Sequence, residues 1–248
     1  MPKIKLFFLA LTFYTRLPSP IALDYKDLPK AAVYFPLIGW LVGGMSALSF
    51  YLADYLWPQS SAVIIAIITG ILITGAFHED GFSDVCDGFG GGYGKQRILD
   101  IMKDSRIGVY GAAGLLLILL LKISLLSETP AHLVPLLLFS GHSLSRLMPL
   151  ILMQRDEYAR ENDSKVSSAV YRLSPLELAS AITIALLPLL LLPNITVLAI
   201  LPVWLVNLWL GHYFNRHIGG YTGDCLGASQ QIAETVFYLS ATAIWALI

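Results

Sequence analysis

Long apolar stretches alternate along the chain with shorter polar segments. Seven apolar stretches lie near residues 33–57, 61–77, 109–127, 133–153, 176–192, 196–214 and 231–248. A helix needs about 20 mainly apolar residues to cross a bilayer. The pattern therefore predicts an all-α fold, a polytopic transmembrane helix bundle of about seven spans, built as one catalytic domain over residues 1–248. The segment before the first stretch combines basic and apolar residues, which favours an N-terminal interfacial helix.

The composition supports this prediction. Hydrophobic residues make up 56% of the chain and charged residues 13%, whereas soluble proteins contain about 25% charged residues. The formal net charge is −1, which argues against a basic nucleic-acid-binding protein. We therefore expect the lipid bilayer as the environment and no nucleic acid as a partner.

The basic residues predict how the chain is oriented. If the N-terminus is cytoplasmic, four polar segments share that side: 1–32, 78–108, 154–175 and 215–230. They contain 14 of the 16 Lys and Arg residues, and the short segments on the opposite side contain none. Because cytoplasmic loops are enriched in Lys and Arg, the count predicts one cytoplasmic face that carries the chemistry.

The polar segment after the second stretch contains the most distinctive acidic pattern. Asp80, Asp84 and Asp87 follow i, i+4, i+7 spacing, and Asp100 and Asp104 follow i, i+4 spacing. Each set would share one face of a helix. Five glycines within 88–94 separate the sets and disfavour a helix there. The sequence predicts two helices with stacked carboxylates, joined by a flexible turn.

Stacked carboxylates repel one another, and a cation would relieve the repulsion. Carboxylate oxygens without Cys or His ligands suit Mg²⁺, Mn²⁺ or Ca²⁺ better than Zn²⁺. Such cations could bind a diphosphate and stabilise the charge that develops during its cleavage. The alternative is a solvated acidic loop balanced by the basic residues beside it, Lys95, Arg97, Lys103 and Arg106.

Further polar residues are candidates for substrate binding. Arg146 and His142 lie inside a predicted span, where ionisable residues often serve function, although Arg146 could instead be a structural tether. Asp224 stands among glycines, which indicates close approach to a ligand or a helix cap. We expect Lys122, nearer a span end, to extend its amine to the membrane surface. The remaining candidates are His78, Arg106 and Arg160.

Several segments together resemble the cobalamin synthase family, the adenosylcobinamide-GDP ribazoletransferases. The resemblance is strongest in FHEDGFSDVCDGF at 77–89 and ILDIMKDSRIGVYG at 98–111. It extends to TRLP at 15–18 and GGYTGDCLGA at 219–228, with shorter matches at FPLIG, Ser145-Arg146 and Tyr158-Ala-Arg160. These matches run nearly end to end.

The resemblance implies an Mg²⁺-dependent phosphotransferase of the bacterial inner membrane, with Mn²⁺ able to substitute. Its substrates would be adenosylcobinamide-GDP and α-ribazole or α-ribazole 5′-phosphate. It implies that Asp84, Asp87 and Asp104 are catalytic, that Asp80 and Asp100 join them around the metal, and that Asp104 accepts the hydroxyl proton. A phospholipid headgroup transferase related to CDP-alcohol phosphotransferases and a cation-coupled transporter are the alternatives. A homo-oligomer is compatible with either reading.

Overall fold

The computed structural model describes residues 3–160 and 172–247, and α-helix dominates them. No β-strand forms within these residues, although a single isolated bridge pairs Tyr158 with Tyr221. The predicted all-α fold is therefore confirmed. The α-helices are α1 (Lys3–Tyr14), α2 (Leu28–Ala31), α3 (Phe35–Asp54), α4 (Gln59–Thr74), α5 (Phe77–Gly91), α6 (Lys95–Ile101), α7 (Val109–Ser127), α8 (Val134–Ser145), α9 (Leu147–Arg155), α10 (Pro175–Leu186), α11 (Ile200–Ile218) and α12 (Gly223–Ala246).

Within the described residues, four helical segments are long and apolar enough to cross a membrane: Tyr25–Asp54, Val109–Ser127, Ala131–Arg155 and Asn194–Ile218. A fifth span is possible if α4 and α5, which meet at an angle of 91°, count as one broken span. The structure thus supports four or five of the seven predicted spans. The stretch at 176–192 forms a shorter apolar helix. Residues 231–246 of the last stretch belong to α12, whose buried polar residues lower its hydropathy.

Glycines allow the closest helix crossings in the bundle. A Cβ added to Gly39 of α3 would lie 2.9 Å from Ser143 Cα of α8, and one on Gly43 would lie 2.9 Å from the Leu138 carbonyl oxygen. Small residues permit this backbone approach, which stabilises helix pairs in membranes through van der Waals contact. Helix α1 packs against α3 through Leu9, whose side chain is completely buried.

Local expectations for three polar segments were wrong. The glycine run does not form a flexible turn from Gly88 onward, because α5 continues to Gly91. Asp104 is not on a helix with Asp100, because α6 ends at Ile101. The predicted loop 215–230 shrinks to residues 219–222 between α11 and α12. The predicted polar segment 154–175 is described only at 154–160 and 172–175, so its basic residue Lys165 lies outside the described residues.

Packing explains why α5 extends through its glycines. A Cβ at Gly88 would collide with the Met102 side chain at 2.5 Å, and a Cβ at Gly90 would lie 2.6 Å from the Tyr110 ring. Gly is unfavourable in a helix by about 1 kcal/mol relative to Ala. Close contact with these two side chains, which only a residue without a Cβ permits, offsets that local cost.

Candidate active site

A sharp bend sets the direction of α5. Gly75 and Ala76 both adopt left-handed backbone angles, with φ of 67° and 60°. Arg16 occupies the space beside Gly75, where an added Cβ would collide with its side chain. The left-handed region is costly for a residue with a Cβ. Ala76 adopts it because the chain changes direction sharply between α4 and α5. The bend turns α5, with its acidic residues, away from the axis of α4.

The three acidic residues of the i, i+4, i+7 pattern lie on one helix as predicted, but their surroundings differ. Asp80 is exposed, Asp84 is half-buried and Asp87 is buried. The Asp87 carboxylate accepts hydrogen bonds from the backbone N–H groups of Gly108 at 2.7 Å and Gly111 at 2.8 Å. These groups belong to the first turn of α7 and would otherwise lack partners. Asp87 therefore caps α7 and fixes it against α5.

The N-terminal end of α12 crosses α5 beside these carboxylates. A Cβ on Gly81 would lie 3.0 Å from Asp224 Cα, and one on Gly227 would lie 3.2 Å from the His78 carbonyl oxygen. The crossing brings Asp224 close enough that it repels Asp84, as Asp80 and Asp87 also do. We call Asp80, Asp84 and Asp224, with the neighbouring Arg160, the acidic face.

Arg160 reaches the acidic face because the chain before it pairs with the α11–α12 turn. The Ala159 N–H donates to the Tyr221 carbonyl, and the Tyr221 N–H donates to the Glu157 carbonyl, both at 2.9 Å. Arg160 then donates to Asp224 Oδ2 at 3.0 Å. Burial raises the pKa of Asp224, while the Arg160 charge and the Thr222 hydroxyl oppose that rise. The N-cap of α12 is Thr222 and not Asp224.

The other two predicted metal ligands, Asp100 and Asp104, contact residues outside the acidic face. Asp100 is exposed and accepts a hydrogen bond from Gln96 at 2.8 Å. Asp104 follows α6 and forms an ion pair with Arg106 at 2.6 Å. Hydrogen bonds from Arg106 lower the pKa of Asp104 to about 2. In this arrangement Asp104 is a weak proton acceptor, and Arg106 is engaged with it at the surface.

No three His, Cys, Asp or Glu side chains within 3–160 and 172–247 converge closely enough to form a complete metal cage. The acidic face nevertheless fits Mg²⁺. This ion is usually held by one or two carboxylates, with waters and substrate phosphates completing its shell. Asp80 and Asp84 are one helical turn apart and repel each other, and a hard cation between them would relieve that repulsion.

Further along α12 and near the start of α5, a second group of polar residues is buried in the bundle. Lys122 of α7 is 3% exposed and donates to Glu234 at 2.9 Å and to Gln231 at 2.8 Å. The expectation that Lys122 extends to the membrane surface was wrong. A buried ammonium needs a carboxylate partner, and α12 supplies one that lies 112 residues away along the chain.

The same cluster continues to α8 and back to α5. Gln230 bridges Glu234 at 2.8 Å and Ser145 at 2.9 Å, and Gln231 donates to Glu79 at 3.0 Å. His142 Nδ1 lies 3.4 Å from Glu234. We call this cluster the internal polar network; its members are Glu79, Lys122, His142, Ser145, Arg146, Gln230, Gln231 and Glu234.

Arg146 is placed in this network rather than on the acidic face. It is 1% exposed, donates to the backbone oxygen of His142 at 2.9 Å and lies 5.7 Å above the Phe35 ring. The nearby acidic charges that act on it are Glu234 and Glu79, not an aspartate. The contacts favour the interpretation of Arg146 as a tether. His78, another predicted substrate contact, is also buried and stacks on Phe35 with ring centres 5.5 Å apart.

The sequence analysis did not assign a role to Glu234, Gln230 or Gln231. A signal for them was present, because these three polar residues stand at or near the start of the apolar stretch 231–248. Polar residues inside an apolar helix usually face protein and not lipid. This rule places them inside the bundle, although it does not identify their partners.

The chain is similar to known proteins over nearly its whole length. Residues 6–242 match the family model described as cobalamin-5-phosphate synthase. The adenosylcobinamide-GDP ribazoletransferase of Shewanella amazonensis is 43% identical over 98% of this chain and 96% of its own length. The protein of the same name from Leptospira interrogans is 41% identical over 94% of this chain and 93% of its own length. No solved structure matches the chain significantly. A match over nearly the whole chain shows that this protein belongs to the cobalamin-5-phosphate synthase family.

Proposed function

We propose that the protein is an adenosylcobinamide-GDP ribazoletransferase. The 3′-hydroxyl of the α-ribazole sugar attacks the phosphorus that is esterified to the cobinamide aminopropanol, so a 5′-phosphate on that sugar would be retained. The bond from that phosphorus to the bridging oxygen of the diphosphate breaks, and GMP leaves. The products are adenosylcobalamin, GMP and one proton; α-ribazole 5′-phosphate would give adenosylcobalamin 5′-phosphate. The names of full-length relatives at about 43% identity support this proposal.

The acidic face provides the structural support for this proposal, because it offers carboxylates that can bind a metal ion. Asp80 and Asp84 are the residues we propose to hold Mg²⁺, because their carboxylates are accessible and mutually repelling. When bound, Mg²⁺ would neutralise negative charge on the diphosphate. Mn²⁺ should substitute, being another hard ion that prefers oxygen ligands. Asp87 would act mainly by fixing α7 against α5, since both its oxygens accept backbone hydrogen bonds.

Arg160 is the cation best placed to bind the diphosphate. Its guanidinium is partly buried and already points to the acidic face through Asp224. A guanidinium can donate to two phosphate oxygens at once, and Asp224 would keep it oriented while it does so. Asp104 could accept the hydroxyl proton only after Arg106 releases it, because the ion pair holds its pKa at about 2. Asp100 would join the metal only through a similar rearrangement.

A reconstituted assay tests the proposed reaction. Purified protein in lipid nanodiscs receives adenosylcobinamide-GDP, α-ribazole and Mg²⁺, and cobalamin and GMP are measured together. We expect one GMP for each cobalamin, and activity with Mn²⁺ but not with Zn²⁺. A parallel reaction with CDP-diacylglycerol and an alcohol should give no lipid product. Lipid product without cobalamin would contradict the proposal.

We further propose that the acidic face lies on the cytoplasmic side of the inner membrane, because the basic residues concentrate on that side of the predicted topology. Single cysteines at exposed Ser60, Glu128 and Asn194, introduced without Cys86, should react with a membrane-impermeant thiol reagent applied from the periplasm. A cysteine at Tyr93, which is 92% exposed, should be protected in intact cells. Protection at all three of the first positions would overturn the topology.

A further inference from the structure

A cavity of about 200 Å³ lies next to the acidic face, between the N-terminal helices and the start of α12. Aromatic rings supply much of its wall: Tyr14, Phe35, Phe77 and Tyr221. Gly223 also belongs to the wall, and a Cβ added to it would meet no atom within 4 Å. Asp224, the next residue, belongs to the acidic face. The cavity therefore opens directly beside the residues that we propose to bind the diphosphate.

Two side chains in this wall, His78 and Tyr221, each have a buried polar atom without a partner in the described part of the chain. The His78 imidazole lines the cavity and is 2% exposed. Its Nε2 has no hydrogen-bond partner among the described residues. A buried polar atom without a partner is unfavourable. Both atoms have almost no accessible surface, so a small movement of either ring would let a ligand in the cavity pair with it and gain more than contact with apolar walls. His78 also lies at the edge of the internal polar network, and its stacking on Phe35 holds the ring in place.

We propose that this cavity binds the aromatic base of the nucleoside substrate, the dimethylbenzimidazole of α-ribazole. The inference rests on the proposed function, since it assigns one substrate of that reaction to a subsite. A two-ring heterocycle with apolar methyl groups suits flat aromatic walls. The ring nitrogen of the base that is not bonded to ribose is a hydrogen-bond acceptor. The neutral imidazole of His78 can donate one hydrogen bond to it. The attached ribose would then extend past Gly223 toward Asp84 and Asp224.

Other parts of the two substrates suit the cavity less well. A corrin macrocycle is far larger than a space of about 200 Å³. Guanine presents several donors and acceptors, and most would lose their hydrogen bonds with water against apolar walls. A lipid acyl chain would match the walls but would leave His78 Nε2 without a partner. The base of α-ribazole is the one group that is flat, mainly apolar and provided with a single exposed acceptor.

Direct binding of free dimethylbenzimidazole tests the inference without any transfer reaction. Isothermal titration calorimetry on the protein in nanodiscs would compare the wild type with Gly223→Ala, Gly223→Leu and His78→Phe. Because Gly223 lines the cavity, we expect a Leu side chain at this position to take up part of its space and weaken binding by at least about tenfold, with a smaller loss for Ala. His78→Phe retains a ring to stack on Phe35 but removes the donor, and should weaken binding by several-fold.

Gly44→Leu is the matched control. Gly44 lies on α3, outside the cavity wall, and an added Cβ would meet only the Phe139 ring at 3.9 Å. This variant should bind dimethylbenzimidazole like the wild type. In steady-state kinetics, Gly223→Leu should raise KM for α-ribazole and leave KM for adenosylcobinamide-GDP unchanged. A thermal melting curve of each variant shows whether it is folded.

The outcomes separate the inference from the proposed function. Binding that depends on Gly223, in a protein that makes no cobalamin, would support the cavity and contradict the reaction. Cobalamin synthesis with unchanged base binding and unchanged KM in folded Gly223→Leu would overturn the inference alone. A phospholipid that copurifies with the wild type, is lost in Gly223→Leu and is not displaced by dimethylbenzimidazole would also overturn it in favour of a lipid site.

Discussion

The acidic face and the internal polar network are both built partly on α5 and α12, and they differ in how charge is balanced. In the internal polar network, Lys122 and Arg146 accompany Glu79 and Glu234, and glutamine side chains join them through hydrogen bonds. On the acidic face, three carboxylates accompany one guanidinium. A buried charge is costly unless an opposite charge accompanies it, and the internal polar network meets that condition. Excess accessible negative charge is what a cation and a diphosphate can use.

The largest expected effect is on turnover, from a change on the acidic face. Asp84→Asn removes one of the two carboxylate charges that we propose to bind Mg²⁺. The change should lower kcat by several hundredfold, because loss of one preorganised electrostatic contact typically costs about 10²–10³ in rate. The melting temperature should stay the same or rise, because Asp84 is repelled by its neighbours. Turnover above about a tenth of the wild-type value at saturating Mg²⁺ would mean that Asp84 is not a ligand.

The converse effect is expected from the internal polar network. Glu234→Gln leaves Lys122 buried without its carboxylate, and should destabilise the protein by about 3–5 kcal/mol. Unfolding in detergent, followed by circular dichroism, measures the loss. The double variant Lys122→Met/Glu234→Met removes both charges and should recover most of the stability. Equal destabilisation in the single and double variants would show that the unpaired charge of Lys122 does not cause the loss of stability.

Asp87 belongs to neither region, because its carboxylate is bonded to the backbone of α7, and it should behave differently from Asp84. Asp87→Asn retains only one acceptor oxygen, so one of the two α7 amides loses its partner. We expect a loss of about 1–2 kcal/mol in stability, seen as a lower melting temperature, with a rate loss well below that of Asp84→Asn. Unchanged stability with a rate loss as large as that of Asp84→Asn would identify Asp87 as a metal ligand instead.

The smallest expected effect concerns the exposed pair of Asp104 and Arg106. The folded-state pKa of Asp104 is about 2, below its ordinary value of 3.8. Its contribution to stability is therefore present above pH 3.8 and is lost as the pH falls through about 2. Arg106→Gln should raise the Asp104 pKa toward its ordinary value, as measured by a carboxyl NMR titration, with a small decrease of melting temperature at neutral pH because the pair is exposed. An unmoved pKa would show that Arg106 does not hold it down.

The sequence predicted well those features that depend on local spacing. The i, i+4, i+7 pattern correctly placed Asp80, Asp84 and Asp87 on one helix, and the apolar stretches correctly indicated the all-α fold. The glycine run was misjudged because helix propensity is a local quantity, whereas Met102 and Tyr110 supply contacts from elsewhere in the chain.

Features that depend on distant partners could not be predicted from spacing. The position of Lys122 along its span does not reveal that Glu234 faces it from α12. Asp104 has the spacing of a helical partner for Asp100, yet its pairing with Arg106 follows from where α6 ends. The proximity of Asp224 to Asp84 depends on the crossing at Gly81, which the sequence shows only as an isolated glycine.

That crossing also constrains how the protein is made. During synthesis α5 is made long before α12 emerges from the ribosome. Until then Gly81 lacks its contact with Asp224, and Lys122 lacks its carboxylate partner Glu234. A nascent chain that ends after α11 would contain every acidic residue of α5 and still have no complete acidic face. Its Lys122 would have no carboxylate partner inside the membrane, which is costly. Insertion of the last helix therefore completes the acidic face and the internal polar network in a single step, and an interrupted chain cannot begin premature chemistry on its substrates.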